Sequence, residues 1–256
     1  MQAEGRRRLI GDIGAHDTRD WAAMRARFGW RVPERFNIAE RCCDSWARAQ
    51  PDKIAIIHVR ANGDVQRWSY GQLKDASGRL AASLAARGVG PGDRVAVLLA
   101  QCPEVLVTHF AVMKLGAVVL PLFVLFGEDA LRHRLRDSGA VALITDTGNL
   151  DKVQGLRAAL PELREIYVTG QAAPPVRGFW AEIEAARGHW ACANTRADHP
   201  ARLIDNSGTT GPPKRVLHAH RVPIRHFPSP ACHQGSIDRM NHAQGQSATL
   251  GSRRPP

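Results

Sequence analysis

Apolar positions along residues 37–221 switch repeatedly between the 3.6-residue period of helices and the short continuous runs of buried strands. The spacing predicts a helix over Ile38–Ala49, with Asn37 as N-cap, Glu40 three residues on and Pro51 beyond its end. Lys53–Val59 reads as a strand, Asn62-Gly63 as a hairpin turn and Gln66–Ser69 as the partner strand. Leu73, Ala76, Leu80, Ala81, Leu84 and Ala85 make one apolar face of a helix over Tyr70–Arg87, stopped by Gly88. Past the turn Gly90–Asp93 the pattern alternates: strand Arg94–Leu99, helix Pro103–Leu115, strand Val118–Leu120, helix Glu128–Asp137, strand Val141–Thr145, helix Asn149–Leu160, strand Glu165–Thr169. Apolar strands that alternate with amphipathic helices need cover on both faces. The expected fold class is therefore α/β, with largely parallel sheets flanked by helices.

The same pattern divides the chain into three zones. Residues 1–36 are a polar, basic lead-in in which Trp21, Met24, Phe28 and Trp30 fall on one side of a short helix and its exit. Residues 37–221 carry the α/β alternation. Residues 222–256 hold Pro223, Pro228, Pro230, Pro255 and Pro256 and show neither period 2 nor period 3.6. Such a segment buries too little apolar surface to offset its ordering entropy, so a disordered tail is expected there.

Composition narrows the function classes. Of 256 residues, 44% are hydrophobic and 23% charged, and no apolar run approaches the roughly 20 residues that span a bilayer. Arg6, Arg7 and Arg8 are followed by Gly11-Asp12 where a signal peptide would place its apolar segment, so a cytoplasmic protein is expected. Cys42, Cys43, Cys102, Cys192 and Cys232 are odd in number and lack C-x-x-C spacing, which favours idle thiols over a disulfide framework. The net charge of +11 comes from scattered arginines with no zinc-finger, basic-zipper or RNA-binding pattern among them, and no nucleic-acid partner is expected. His218 and His220 share a face if they lie on a strand, but no third ligand accompanies them, and no metal site is expected. Cys42-Cys43 reads as packing, and His58 and His109 as satisfied core histidines.

The segment that carries chemistry is Ser207-Gly208-Thr209-Thr210-Gly211-Pro212-Pro213-Lys214. Gly208 and Gly211 free the backbone to approach an anion, and exposed amides in such a loop can form an anion-binding nest. Ser207, Thr209 and Thr210 add hydroxyl donors, Lys214 a flexible point charge, and the two prolines a stiff exit. The spacing differs from the Walker type, G-x-x-x-x-G-K-[ST]. From these residue types alone, a phosphate cradle and a solvated Ser/Thr/Gly turn both stand.

SGTTGPPK also resembles the signature phosphate loop of the AMP-forming adenylating superfamily, the acyl-CoA synthetases, luciferases and peptide-synthetase adenylation domains. The resemblance extends to Val216–Arg221 after the loop. Before it come Phe36–Ala39, Trp68–Leu73, Gly88–Val97, Lys114–Leu122 and Arg136–Ala140, so that it covers roughly residues 20–221. Phe123–Gly127, with Trp21, Phe28 and Trp30, is most similar to acetate- and medium-chain-type acyl-CoA synthetases. The resemblance implies the N-terminal part of the adenylate-forming large domain over 37–221, and an acid-thiol ligase reaction of fatty acid metabolism. A carboxylate attacks the α-phosphate of Mg-ATP to give an acyl-adenylate and pyrophosphate, and coenzyme A then displaces AMP. ATP, Mg2+, coenzyme A and a small carboxylate are the implied cofactor and substrates. Ser207, Gly208, Thr209, Thr210, Gly211 and Lys214 are the implied contacts to the β- and γ-phosphates.

The chain also departs from the family pattern. Asp205 and Asn206 stand where an aromatic and a threonine usually precede the serine, and Arg215 replaces the glycine after the lysine. Asp205 would set a carboxylate beside a polyphosphate, while Arg215 would add positive charge. Nothing after Arg221 matches, and the family's adenine, ribose and magnesium elements and its C-terminal domain find no counterpart. The expectation is a truncated acyl-CoA synthetase with a tail like a shifted reading frame, inactive alone and with no complete catalytic set. The alternative is a non-catalytic nucleotide- or partner-binding remnant.

Overall fold

The side chain of Asn37 opens helix α1, residues 38–49, by accepting the Ala39 amide at 2.9 Å. Within α1, Glu40–Asp44 form a π turn before Ser45–Ala49 return to α geometry. The structure, a computed structural model, describes residue 22, residues 31–206 and residues 214–226. Trp21, Met24, Phe28 and Trp30 lie outside the described residues. Strands β1 (Ile54–Val59) and β2 (Val65–Ser69) form the expected antiparallel hairpin. Ser69 then starts α2 (Tyr70–Ala86) with a reciprocal capping box: its hydroxyl accepts the Gln72 amide at 3.2 Å, and Gln72 Oε1 accepts the Ser69 amide at 2.8 Å.

The alternating region builds a second sheet from β3 (Arg94–Leu98), β4 (Val118–Pro121), β5 (Ala140–Thr145), β6 (Glu165–Val168), β7 (Arg177–Gly178), β8 (Pro200–Asn206) and β9 (Lys214–Ala219). Helices α3 (Pro103–Lys114), α4 (Glu128–Ser138), α5 (Thr147–Leu156) and α6 (Phe179–Ala185) lie between them. The sheet has the order β7-β6-β5-β3-β4-β8-β9, and each neighbouring pair is parallel except β8–β9. This is the expected α/β fold, with an antiparallel edge that the sequence pattern did not announce.

Strand alternation splits the interior into two cores, one on each face of the sheet. Val95, Val97, Val119, Ala142, Ile144 and Tyr167 pack with residues of α1, α2, α3 and α6. Ala96, Leu98, Leu120, Leu143, Ile166 and Val168 pack with residues of α4 and α5. Each Val, Leu or Ile among them contributes on the order of 1.5–3 kcal/mol when fully buried. Gly139 ends α4 in the left-handed region, at φ 59°. The Arg94 guanidinium donates to the carbonyls of Ser138 and Gly139 there, and an added Cβ would sit 2.5 Å from Arg94 Nη2. Glycine takes this left-handed backbone without strain, and a larger residue would also have to displace the Arg94 guanidinium from the two carbonyls.

Several boundaries shift for identifiable reasons. Helix α5 begins at Thr147 rather than Asn149, because Asp146 serves as N-cap and accepts the Asn149 amide at 2.9 Å. It ends at Leu156, and a 3-10 turn, Arg157–Ala159, completes the segment. Glu34–His220 form one compact unit. Outside it, Val222–His226 fold as a short helix, α7, where the sequence showed no period; residues beyond 226 lie outside the described residues. No helix among the described residues is long and apolar enough to cross a membrane.

Candidate functional site

The connections that leave β3 and β5, neighbours at the point where the strand order reverses, go to opposite faces of the sheet and away from each other. Helix α3 follows β3 into the first core, whereas α5 follows β5 into the second. Adjacent parallel strands whose exits diverge open a crevice at their carboxyl ends, the usual ligand position in open α/β sheets. β8 runs parallel to β4, with Arg202 opposite Val119, so β8 delivers Asn206 to the same carboxyl edge. β9 returns antiparallel from that edge, starting at Lys214, which faces Asn206. The two stems of the candidate phosphate segment thus stand side by side at the edge that holds the crevice. Ser207, Gly208, Thr209, Thr210 and Gly211 lie outside the described residues, and Lys214 is placed by its backbone alone.

Below the stems lies a charge cluster. Asp205 and Arg215 are directly opposite across the β8–β9 ladder, and Arg215 Nε donates to Asp205 Oδ1 at 3.1 Å. Arg134 Nε of α4 lies 3.1 Å from Asp205 Oδ2, an ion pair without hydrogen-bond alignment. Arg215 Nη1 reaches Asp137 Oδ2 at 2.5 Å, and its Nη2 donates to the Arg134 carbonyl at 3.2 Å. The Arg134 guanidinium also sits 4.1 Å from the Phe126 ring centroid, on the segment that leaves β4. The carboxylate of Asp205 is therefore held by two guanidinium groups, and Arg215 is engaged by two carboxylates rather than left as added positive charge. Arg134 and Asp137 were not among the expected site residues. The available signal was Arg134 itself, which shares the buried stripe of α4 with Leu131, Leu135 and Ser138 and so requires a partner.

The histidine pair behaves differently from a ligand pair. His220 is buried, and its Nδ1 accepts the Ile38 amide at 3.1 Å. Burial, and then the neighbouring His199, lower its pKa to about 4. His218 lies opposite Arg202. His109 is buried as expected, but its Nε2 has no hydrogen-bond partner among the described residues, and the same is true of buried Nδ1 of His58. Neither ring is satisfied in the sense the sequence suggested. Glu40, Asp44 and Cys192 converge elsewhere, each offering a ligand atom within 4.8 Å of the others. These groups are already engaged: Asp44 Oδ1 lies 2.9 Å from Lys114 Nζ, Glu40 pairs with Arg48, and burial and then Asp44 raise the Cys192 thiol pKa far above its usual range.

Comparison with known proteins agrees with this architecture. The family profile described as AMP-binding enzyme matches residues 43–234, which extends past Arg221, where the sequence resemblance ended. The mitochondrial acyl-coenzyme A synthetase ACSM5 of Homo sapiens is 31% identical over 195 residues, which cover 73% of this chain and 34% of that protein. The acetyl-coenzyme A synthetase of Streptomyces avermitilis is 32% identical over 234 residues, covering 84% of this chain and 36% of that protein. Among solved structures, the acetoacetyl-CoA synthetase from Streptomyces lividans superposes with a TM-score of 0.71 at 27% identity, over 78% of this chain and 33% of that one. A Brucella canis acyl-CoA synthetase shares the fold at a TM-score of 0.68 and 24% identity, over 88% of this chain and 37% of that one. The chain thus spans about a third of the length of the curated relatives it matches. On the profile match and on these identities, the chain belongs to the AMP-binding enzyme family.

Proposed function

We propose that residues 37–221 are the first part of the adenylation domain of an AMP-forming acyl-CoA synthetase, preceded by a lead-in over 1–36 and followed by a separate tail over 222–256. The observation that carries this reading is the placement of both stems of SGTTGPPK at the carboxyl edge of the parallel sheet, the edge at which open α/β sheets bind their ligands. Ser207, Gly208, Thr209, Thr210, Gly211 and Lys214 hold the β- and γ-phosphates of Mg-ATP while a carboxylate attacks the α-phosphate, and coenzyme A completes the reaction to the thioester. The four free cysteines among the described residues support a reducing, cytoplasmic setting.

On this reading these 256 residues bind polyphosphate but do not complete adenylation by themselves. A phosphate segment neutralises charge on the departing pyrophosphate. It does not grip adenine and ribose or orient the carboxylate, and alignment of reactants is worth on the order of 7–11 kcal/mol of barrier. The test is carboxylate-dependent pyrophosphate exchange with acetate, butyrate or octanoate, run beside tripolyphosphate titration. The expected result is no exchange, together with binding near millimolar Kd (about 4 kcal/mol) that weakens about tenfold in Lys214→Ala. Clear exchange abolished by Lys214→Ala would show that the 256 residues suffice for adenylation. Equal tripolyphosphate binding by both chains would remove Lys214 from the site.

A further inference from the structure

Asp205 and Arg215 are the two charged positions in which the chain departs from the family pattern on either side of the phosphate segment, and they are each other's partners. They occupy the ladder rung directly beneath Asn206 and Lys214, between which the seven residues 207–213 run. Asp205 has a side chain only 6% exposed, so its carboxylate faces protein rather than water. Arg134 meets it from α4, with a side chain 10% exposed, and is anchored in turn by the Ala130 carbonyl at 3.0 Å and the Phe126 ring. Arg215 meets Asp205 from β9 and continues to Asp137 and the Arg134 carbonyl on α4. Two cations and two carboxylates balance. Both stems are thereby fastened to each other and to the helix that follows β4.

The separation and direction of the two stems limit what any connection between them can adopt. Simple electrostatics gives Asp205 one role: a negative charge close to bound phosphate weakens binding, and its removal strengthens it. The geometry gives it the opposite role. We propose, building on the phosphate-site reading above, that Asp205 is a positioning residue which, through Arg215 and Arg134, fixes the two stems of the phosphate segment. It also engages the charge of Arg215 in the clamp, and phosphate recognition falls to Lys214 and the segment itself.

The proposal reverses the sign expected for a charge substitution. Calorimetric titration of tripolyphosphate into the full chain compares wild type with Asp205→Asn, Arg215→Gln, the double variant and Asp137→Asn, with thermal unfolding showing that each is folded at the titration temperature. Asp205→Asn is expected to weaken binding at least threefold although it removes a negative charge. Arg215→Gln weakens it similarly, and the double variant is no weaker than the poorer single, as a shared interaction requires. Asp137→Asn, at a side chain 57% exposed, keeps the fold should the buried variants lose it, and weakens binding about twofold. Tighter or unchanged binding by Asp205→Asn, or by Asp137→Asn if only that variant folds, overturns the proposal. A loss in Arg215→Gln that Asp205→Asn does not share makes Arg215 a direct phosphate ligand and also overturns it. If the wild-type chain binds no tripolyphosphate, the phosphate-site reading falls first and the clamp falls with it.

Discussion

Lys114 is 1% exposed, yet its ammonium lies in the first core, 2.9 Å from Asp44 Oδ1 and 3.2 Å from the Lys74 carbonyl. In the sequence Lys114 was one letter of a family-like stretch, and nothing local revealed that an acidic residue on α1 would meet it. A buried ion pair of this kind is strongly destabilised when one partner goes, because the other is left charged and unpaired. Joint replacement by apolar residues of similar volume costs far less. Asp44→Ala is therefore expected to cost about 3–5 kcal/mol, and Asp44→Leu with Lys114→Met to stay within about 2 kcal/mol of wild type. Urea unfolding of wild type, Asp44→Ala and the double variant checks this, and a loss in the double variant as large as that in Asp44→Ala would contradict it. The neighbouring Cys43 is fully buried, and burial, then Asp44, push its thiol up to about 12. With Cys42 also raised, first by burial, the Cys42-Cys43 pair is packing rather than a nucleophile, as its sequence context suggested.

At the scale of elements, Asn37 does more than the capping role visible in the sequence. Its Oδ1 accepts the Ala39 amide, and its Nδ2 donates to the carbonyls of Met113 at 2.8 Å and Ala193 at 3.1 Å, which ties α1 to the end of α3 and to the segment before β8. Asn37→Ala loses a cap and two tertiary hydrogen bonds, while the Met113 and Ala193 carbonyls still accept the Gly116 and Thr195 amides, for an expected cost of about 2–3 kcal/mol. Ser69→Ala removes the more exposed cap of α2 and should cost only about 1 kcal/mol. Thermal unfolding of both variants orders them, and equal losses would refute the tertiary role of Asn37. The alternation from Arg94 to Val168 was legible because each strand is buried on both faces and each helix carries a stripe. Strand β7 has two residues, too few for any period, and α6 follows it with a single apolar turn of Phe179, Trp180 and Ile183. The pairing of β8 with β4 and the Asp205–Arg134 pair depend on contacts between residues far apart in the chain. One sequence carries no record of those contacts beyond an arginine on an apolar stripe.

Across the whole unit, two buried imidazoles set how stability responds to acid. His109, 8% exposed, has its pKa lowered to about 4 by burial and then by Arg202, and His220 is lowered to about 4 by burial and then by His199. For His220 the geometry adds a reason: Nδ1 accepts the Ile38 amide, and a protonated ring nitrogen cannot accept. Both groups are depressed below the value near 6.5 that they take in the unfolded chain, so between roughly pH 6.5 and 4 the unfolded state binds more protons. Stability is accordingly full above about pH 6.5, falls as the pH drops through that window, and loses nothing more from these two groups below about pH 4. The upper limit is on the order of 3 kcal/mol for each histidine. A net charge of +11, which grows as the carboxylates protonate, acts in the same direction through self-repulsion. Urea midpoints measured at pH 7.5, 6.0, 5.0 and 4.5 should therefore decline steadily. His109→Leu, which fills the same space without a titrating ring, should flatten roughly half of the histidine-dependent slope. A midpoint that holds constant from pH 7.5 to 5.0 would mean that neither ring is held neutral by the fold, and an unchanged slope in His109→Leu would assign the effect to His220 alone.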